Sequence, residues 1–254
     1  METLVFLGGI AFISGLIDAA VGGGGLVQIP GLFNLLPNIQ PATLFGINKF
    51  SSVSGTTMAT RQYLRRVRLP WALILPAAGF AFAFAFVGAT AVSYIPVKVM
   101  KPLIFVLLIA MAIYTFIKKD FGSLHKPKEI TQRERLNAAL LGAAIGFYDG
   151  LFGPGTGSFL AFLFIRFFAF DFLHATASAK VVNMATNIAA LSFFIPAGHI
   201  VWAWAIPMAI CNMAGGLVGA RLAIRGGVKV IRMLFLILVA VLIGKFGYDL
   251  FIVN

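Results

Sequence analysis

The chain has 254 residues, of which 60% are hydrophobic, with a mean hydropathy of +0.97 and a formal net charge of +12. That apolar share is far above that of a soluble domain. The basic residues fall mostly in short connections between apolar runs, which excludes nucleic acid as the partner and points to charges that orient a chain in a lipid bilayer.

Apolar runs of about 18 residues or more recur along the chain, long enough to cross a hydrocarbon core roughly 30 Å thick. Backbone polar groups in lipid must be satisfied internally, and no short alternating segments are seen, so the runs read as helices rather than barrel strands. The first element runs from Leu4 to Leu36 and is interrupted by Gly22, Gly23, Gly24 and Gly25. Four consecutive glycines are poor helix. The segment therefore turns back as a re-entrant hairpin, or crosses fully and returns as a second short helix. Three further helices are expected over Thr43–Tyr63, Trp71–Tyr94 and Val99–Ile117. The second half reads alike: a broken element over Leu136–Phe168, then Ala175–Ile195, Trp202–Ile224 and Val230–Phe251.

The likeness of the halves is explicit. Asp18 and Asp149 lie 131 residues apart, and the same offset maps Gly22 onto Gly153, Lys49 onto Lys180, Trp71 onto Trp202, Pro76 onto Pro207, Gly88 onto Gly219 and Lys98 onto Lys229. The fold class expected is an all-α integral membrane protein of two homologous repeats, residues 1–117 and 136–254, joined by a basic linker over 118–135. Each repeat has a Gly-broken first element and three transmembrane helices.

Charge placement decides their relative orientation. If each broken element crosses an even number of times, the second repeat is inverted. The Arg61–Arg68 group, the linker, Arg166 and the Arg221 group then share the cytoplasmic side, and both termini lie outside. Lys98 and Lys101 remain outside, with Lys245 near the outer end of the last helix. The first segment lacks a basic n-region and carries the duplicated motif, so it does not read as a signal peptide.

Polar residues inside these runs carry the chemistry. Thr176, Lys180, Asn183 and Asn187 share one helix face, and Lys49, Ser52 and Thr56 form the matching stripe in the first half. A charge at membrane depth costs from about 3 kcal/mol upward, so each lysine needs a partner, a cavity or water. The lysines either hold an anion, or they snorkel or form ion pairs. Asp18 and Asp149 are their natural partners, as structural salt bridges or caps, or as carboxyls that couple a proton to substrate. The breaks, Gly23, Gly24 and Gly25 in one half and Gly155, Thr156, Gly157 and Ser158 in the other, either allow close helix approach or aim N–H groups at an anion. The Thr156 and Ser158 hydroxyls would add donors in the second copy alone.

The remaining features read as packing. Cys211 is the single cysteine, which excludes an internal disulfide, and it sits in an apolar run. Gly88, Gly215, Gly216 and Gly219 permit close helix approach. Trp71 and Trp202 stand at helix starts as interfacial anchors. His125, His174 and His199 have no metal-ligand spacing. No nucleophile–base pair or nucleotide motif is visible, so the chain reads as neither an enzyme nor a transport ATPase, with no cofactor.

The motif Gly15-x-x-Asp18-x-x-x-Gly22-Gly23-Gly24-Gly25-x-x-x-x-Pro30, with Asn48-Lys49, the Arg61–Arg68 stretch, the copy at Gly146–Leu160 and Ser178-Ala179-Lys180, resembles the sulfite exporter TauE/SafE family, also known as the toluene sulfonate uptake permease group. The similarity spans essentially the whole chain. It implies a multi-pass protein of the bacterial inner membrane that moves small anions, with sulfite, sulfoacetate and other organosulfonates as the usual substrates. The second copy reads Gly-Pro-Gly-Thr-Gly where the first is all glycine, so the two halves of a site are not chemically equivalent.

The reading that follows is a secondary transporter with alternating access. Lys49 and Lys180 supply charge, Ser52, Thr56, Asn183 and Asn187 supply hydrogen bonds, and the glycine breaks supply N–H groups. Asp18 and Asp149 balance or couple charge, with a proton or sodium as coupling ion, and a homodimer is compatible with such a chain. The alternatives are a passive anion channel and a membrane scaffold or accessory subunit without transport of its own.

Overall fold

The computed structural model describes residues 2–95 and 129–226, with isolated positions between 99 and 113 and between 233 and 248. Most of the expected helices Val99–Ile117 and Val230–Phe251, most of the linker, and Lys98, Lys101, His125, Lys229, Arg232 and Lys245 lie outside the described residues. Within them the chain forms eight helices and no strand. These are α1 (Glu2–Val21), α2 (Gly25–Leu35), α3 (Pro41–Leu64), α4 (Trp71–Val92), α5 (Gln132–Leu151), α6 (Thr156–Phe168), α7 (Phe172–Phe194) and α8 (Trp202–Ile224).

Local chemistry sets several of these limits. Pro41 opens α3 at a position where its missing N–H costs nothing. The linker is shorter at its end than Leu136 implied, because Thr131 caps α5 with its Oγ1 accepting from Glu134 N at 3.3 Å. Asp171 caps α7 in the same way, accepting from His174 N at 2.8 Å. Trp71 and Trp202 begin α4 and α8 and stay half exposed.

Both broken elements double back. In the first, Ser14 Oγ donates to Gly24 O at 2.9 Å and Ile10 lies against Gly31, so α2 runs back along α1. In the second, Leu160, Phe164 and Phe168 of α6 meet Ala138, Leu141 and Gly142 of α5. At ~1.5 Å per residue, the 11 residues of α2 and the 13 of α6 reach roughly 16–20 Å. That is about half of a hydrocarbon core. Only α1, α4 and α8 are, among the described residues, long and apolar enough to cross a membrane by length and composition. With 24 and 23 residues, α3 and α7 are as long, but they carry the polar stripes.

Small residues bring the long helices together. A Cβ on Gly142, Gly146 or Gly150 of α5 would stand 2.0–2.3 Å from the carbonyl oxygens of Ala77, Ala81 and Ala85 of α4. Both residue numbers rise together, so α4 and α5 run parallel with their backbones in contact. By the same criterion α1 and α8 run parallel, with Gly215 on Phe12 and Gly219 on Leu16, and Gly15 against Asn212. Helix α3 follows α8 through Gly46 at His199, Ser51 at Met208 and Gly55 at Asn212. The opposite faces carry exposed apolar side chains such as Phe80, Phe82, Phe84 and Phe86 on α4, which is the face lipid requires.

Adding one methyl group therefore has opposite effects at two glycines. Gly146→Ala forces α4 and α5 apart and is expected to destabilise the fold by about 2 kcal/mol, as overpacking does. Gly9→Ala, where a Cβ meets nothing, leaves stability unchanged or slightly raised through helix propensity. Thermal unfolding of the two variants in detergent checks the contrast.

Candidate anion site at the crossed glycine breaks

The two breaks meet each other. Gly22 and Gly153 both take positive φ, +81° and +85°, which frees each chain to reverse after its helix. Gly22 O accepts from Ser158 N at 3.2 Å, and a Cβ on Gly22 would sit 2.3 Å from the Gly157 carbonyl carbon. Glycine is thus required on both sides of this crossing.

Each lysine reaches across to the other half. Lys49 Nζ lies 2.7 Å from Asp149 Oδ2, and Lys180 Nζ lies 2.6 Å from Asp18 Oδ2 and also contacts the Asp18 carbonyl oxygen. The two pairs map onto each other under the 131-residue offset. Both lysines are buried, so neither snorkels to the protein surface. Hydroxyls complete the carboxylates: Thr156 Oγ1 donates to Asp149 Oδ1 at 2.6 Å, and Thr56 Oγ1 lies 3.4 Å from Asp18 Oδ2.

Between the pairs lies a small polar cavity of about 20 Å³. Of the residues singled out from sequence, Asp18, Asp149, Lys49, Ser52, Asn183, Asn187, Gly25, Thr156 and Gly157 line it, together with Gly22 and Gly153. Lys180 and Thr56 reach it only through Asp18. Gly23, Gly24, Gly155 and Ser158 are not in its wall. Gly24 packs on Asp18 Cβ and Ser14, and Gly155 takes φ +80° to open α6. Ser158 spends its hydroxyl on the Val21 carbonyl, so it tethers one break to the other instead of offering a free donor. Asn48 lines the cavity and was not singled out as a site residue, because the offset maps it onto Ala179 and the stripe of Lys49, Ser52 and Thr56 leaves it aside. Its position one residue before Lys49 is the signal that marks it.

Two features make the site suited to an anion. The N-termini of α2 and α6 open on the cavity at Gly25 and Thr156–Gly157, where helix dipoles favour negative charge. Buried amides there also lack partners. Among the described residues, Asn187 Nδ2, a donor, has no hydrogen-bond partner, and such a group is costly unless something such as an anion satisfies it. Asn48 Oδ1 also has none among them, and as an acceptor it calls for a donor rather than an anion. No group of three His, Cys, Asp or Glu residues suited to a metal occurs among the described residues.

The pairs also hold the halves together. Lys49→Ala leaves the Asp149 carboxylate buried beside a single hydroxyl and is expected to cost about 3–5 kcal/mol. Lys49→Ala with Asp149→Asn removes both charges and is expected to cost less than Lys49→Ala alone. Unfolding midpoints of wild type, the single variants and the double variant in detergent close the cycle; additive losses would mean that the two side chains do not depend on each other.

A family model described as sulfite exporter TauE/SafE matches residues 7–246. The chain is 36% identical over 234 residues to a probable membrane transporter protein of Sinorhizobium, ORF9, covering 92% of this chain and 88% of that one. It is 32% identical over 243 residues to the probable membrane transporter protein YfcA of Escherichia coli, covering 94% and 88%. A probable membrane transporter protein of Haemophilus influenzae is 29% identical over 257 residues, covering 98% and 96%. No solved structure matches. A helical membrane protein similar over nearly its whole length to probable membrane transporters, the chain belongs to the sulfite exporter TauE/SafE family.

Proposed function

We propose that the protein is a secondary transporter of a small oxyanion, sulfite or an organosulfonate, spanning the bacterial inner membrane several times. The observation that carries this reading is the cavity itself, a buried polar space where two half-helix N-termini and two ion pairs converge. Broken helices that bring dipole ends to a central site are a recurrent design in secondary transporters.

The repeats are inverted in this reading. Because α2 returns along α1, the first hairpin makes no net crossing, α3 runs the way α1 does, and α4 reverses after a six-residue connection. The parallel contact of α5 with α4 then sets the second hairpin opposite to the first. The Arg61 group, Arg166 and the Arg221 group fall on one side, the cytoplasmic one.

Binding works through exchange of partners. In the structure each lysine is neutralised by an aspartate, so the cavity walls carry no net charge. An arriving oxyanion competes with a carboxylate for a lysine ammonium and takes further donors from Asn187 Nδ2 and the helix N-termini. Opening one pair releases one half from the other at that level, and closing it reseals the path. Alternating use of the two pairs gives alternating access.

Reconstituted liposomes test this directly. Saturable uptake of sulfite or sulfoacetate over sulfate and acetate is expected. Lys180→Ala, at matched protein content, is expected to lower uptake by about 10- to 100-fold, the worth of a charge-assisted hydrogen bond of ~1.5–3 kcal/mol. Ion currents without saturation would favour a channel, and uptake of no anion would favour an accessory subunit.

A further inference from the structure

We propose that Asp18, and not Asp149, is the carboxylate that takes up a proton as the anion enters, so that one monovalent anion and one proton cross together with no net charge. This rests on the transporter reading above.

The four charged groups of the two pairs, Lys49, Lys180, Asp18 and Asp149, sum to zero. An anion entering alone would leave an uncompensated charge in a low-dielectric site, which is costly. A proton that arrives with it restores neutrality. It is added to Asp18 Oδ2, the Lys180 ammonium moves its hydrogen bond from that oxygen to the anion, and both are released on the far side. No bond other than O–H is made or broken.

The two aspartates differ in how tightly they are held. Asp149 is 1% exposed in its side chain and is clamped by Lys49 at 2.7 Å and by the Thr156 hydroxyl at 2.6 Å. Thr156 is the residue that the 131-residue offset matches to Gly25, so the first half has no hydroxyl at that position to hold Asp18. The Asp18 side chain is correspondingly 17% exposed, and its nearest hydroxyl, Thr56, stands at 3.4 Å. Both carboxylates border the cavity, but Asp18 is the more exposed and the less tightly held, so it is the one more open to a proton.

The neighbours of Asp18 offer no competing acceptor. Helix α7 presents Lys180, and α3 presents Thr56 and Tyr63, whose phenol donates to the Ala19 carbonyl at 2.9 Å. From the break before α2 comes Gly24, and from α1 itself Ser14, whose hydroxyl is given to Gly24 O. Lys49 and Asp149 face it across the cavity, already paired.

Proteoliposomes with a trapped pH dye test the proposal, with labelled isethionate, a strong-acid monoanion, and sulfite as probes. For isethionate the wild type is expected to accumulate anion when the outside is acidic, to take up one proton per anion, and to ignore a potassium diffusion potential. Asp18→Asn is expected to abolish the response to the pH gradient, whereas Asp149→Asn retains it at a lower rate. If Asp18→Asn does not assemble, Asp18→Glu should shift the pH of half-maximal uptake while Asp149→Glu does not. Uptake driven by potential and indifferent to pH, a wild-type gradient response in Asp18→Asn, or no shift in Asp18→Glu would overturn the assignment and leave transport standing. Uptake of neither probe under any gradient would overturn the transporter reading and this inference with it.

Discussion

Two buried lysines, each neutralised by an aspartate of the opposite half, are the constraint on which the rest of the structure depends. Neither ammonium is tolerable at that depth without a counter-charge, so the carboxylates must be carried to them. Asp18 and Asp149 sit near the ends of α1 and α5, and the glycine reversals that follow let the two hairpins pass within backbone contact. The Ala77–Gly142 and Phe12–Gly215 rows do the same for the long helices, which brings both pairs into one layer of contacts. Larger residues at these places would hold the charges apart. The apolar faces left outside then meet lipid, and the polar stripes meet the cavity.

The two pairs are related by the 131-residue offset in the sequence, and they differ where that offset matches unlike residues. Thr156 against Gly25 is a single difference between halves, yet it adds a hydroxyl to one carboxylate and leaves the other partly open. Ser158 ties the second break to Val21, while its counterpart Val27 has no hydroxyl to return the bond. The second half is thus the more firmly fastened of the two.

Much of this was legible in the residues. The helical stripes, the glycine breaks and the need of each lysine for a partner follow from periodicity and the cost of buried charge, and α8 begins and ends where its apolar run does. What periodicity does not carry is which aspartate each lysine meets, since Lys49 could pair within its own half by spacing alone. The exchange to the other half is set by three-dimensional packing of small residues. The same holds for Asn48, which no repeat pattern marks, and for Ser158, whose hydroxyl looked free until its neighbour Val21 was in place. The early start of α5 was readable from Thr131 and Glu134, a capping pair that the polar character of the linker obscured.

The central claim is that an anion takes its place by opening one cross-half pair while the other holds. An electron cryomicroscopy structure in lipid nanodiscs, determined with and without sulfite, tests it most directly. The account predicts anion density in the cavity with Lys180 Nζ turned from the Asp18 carboxylate onto the anion, and Lys49 still on Asp149. Density for the anion elsewhere, with both pairs closed as in its absence, would contradict it.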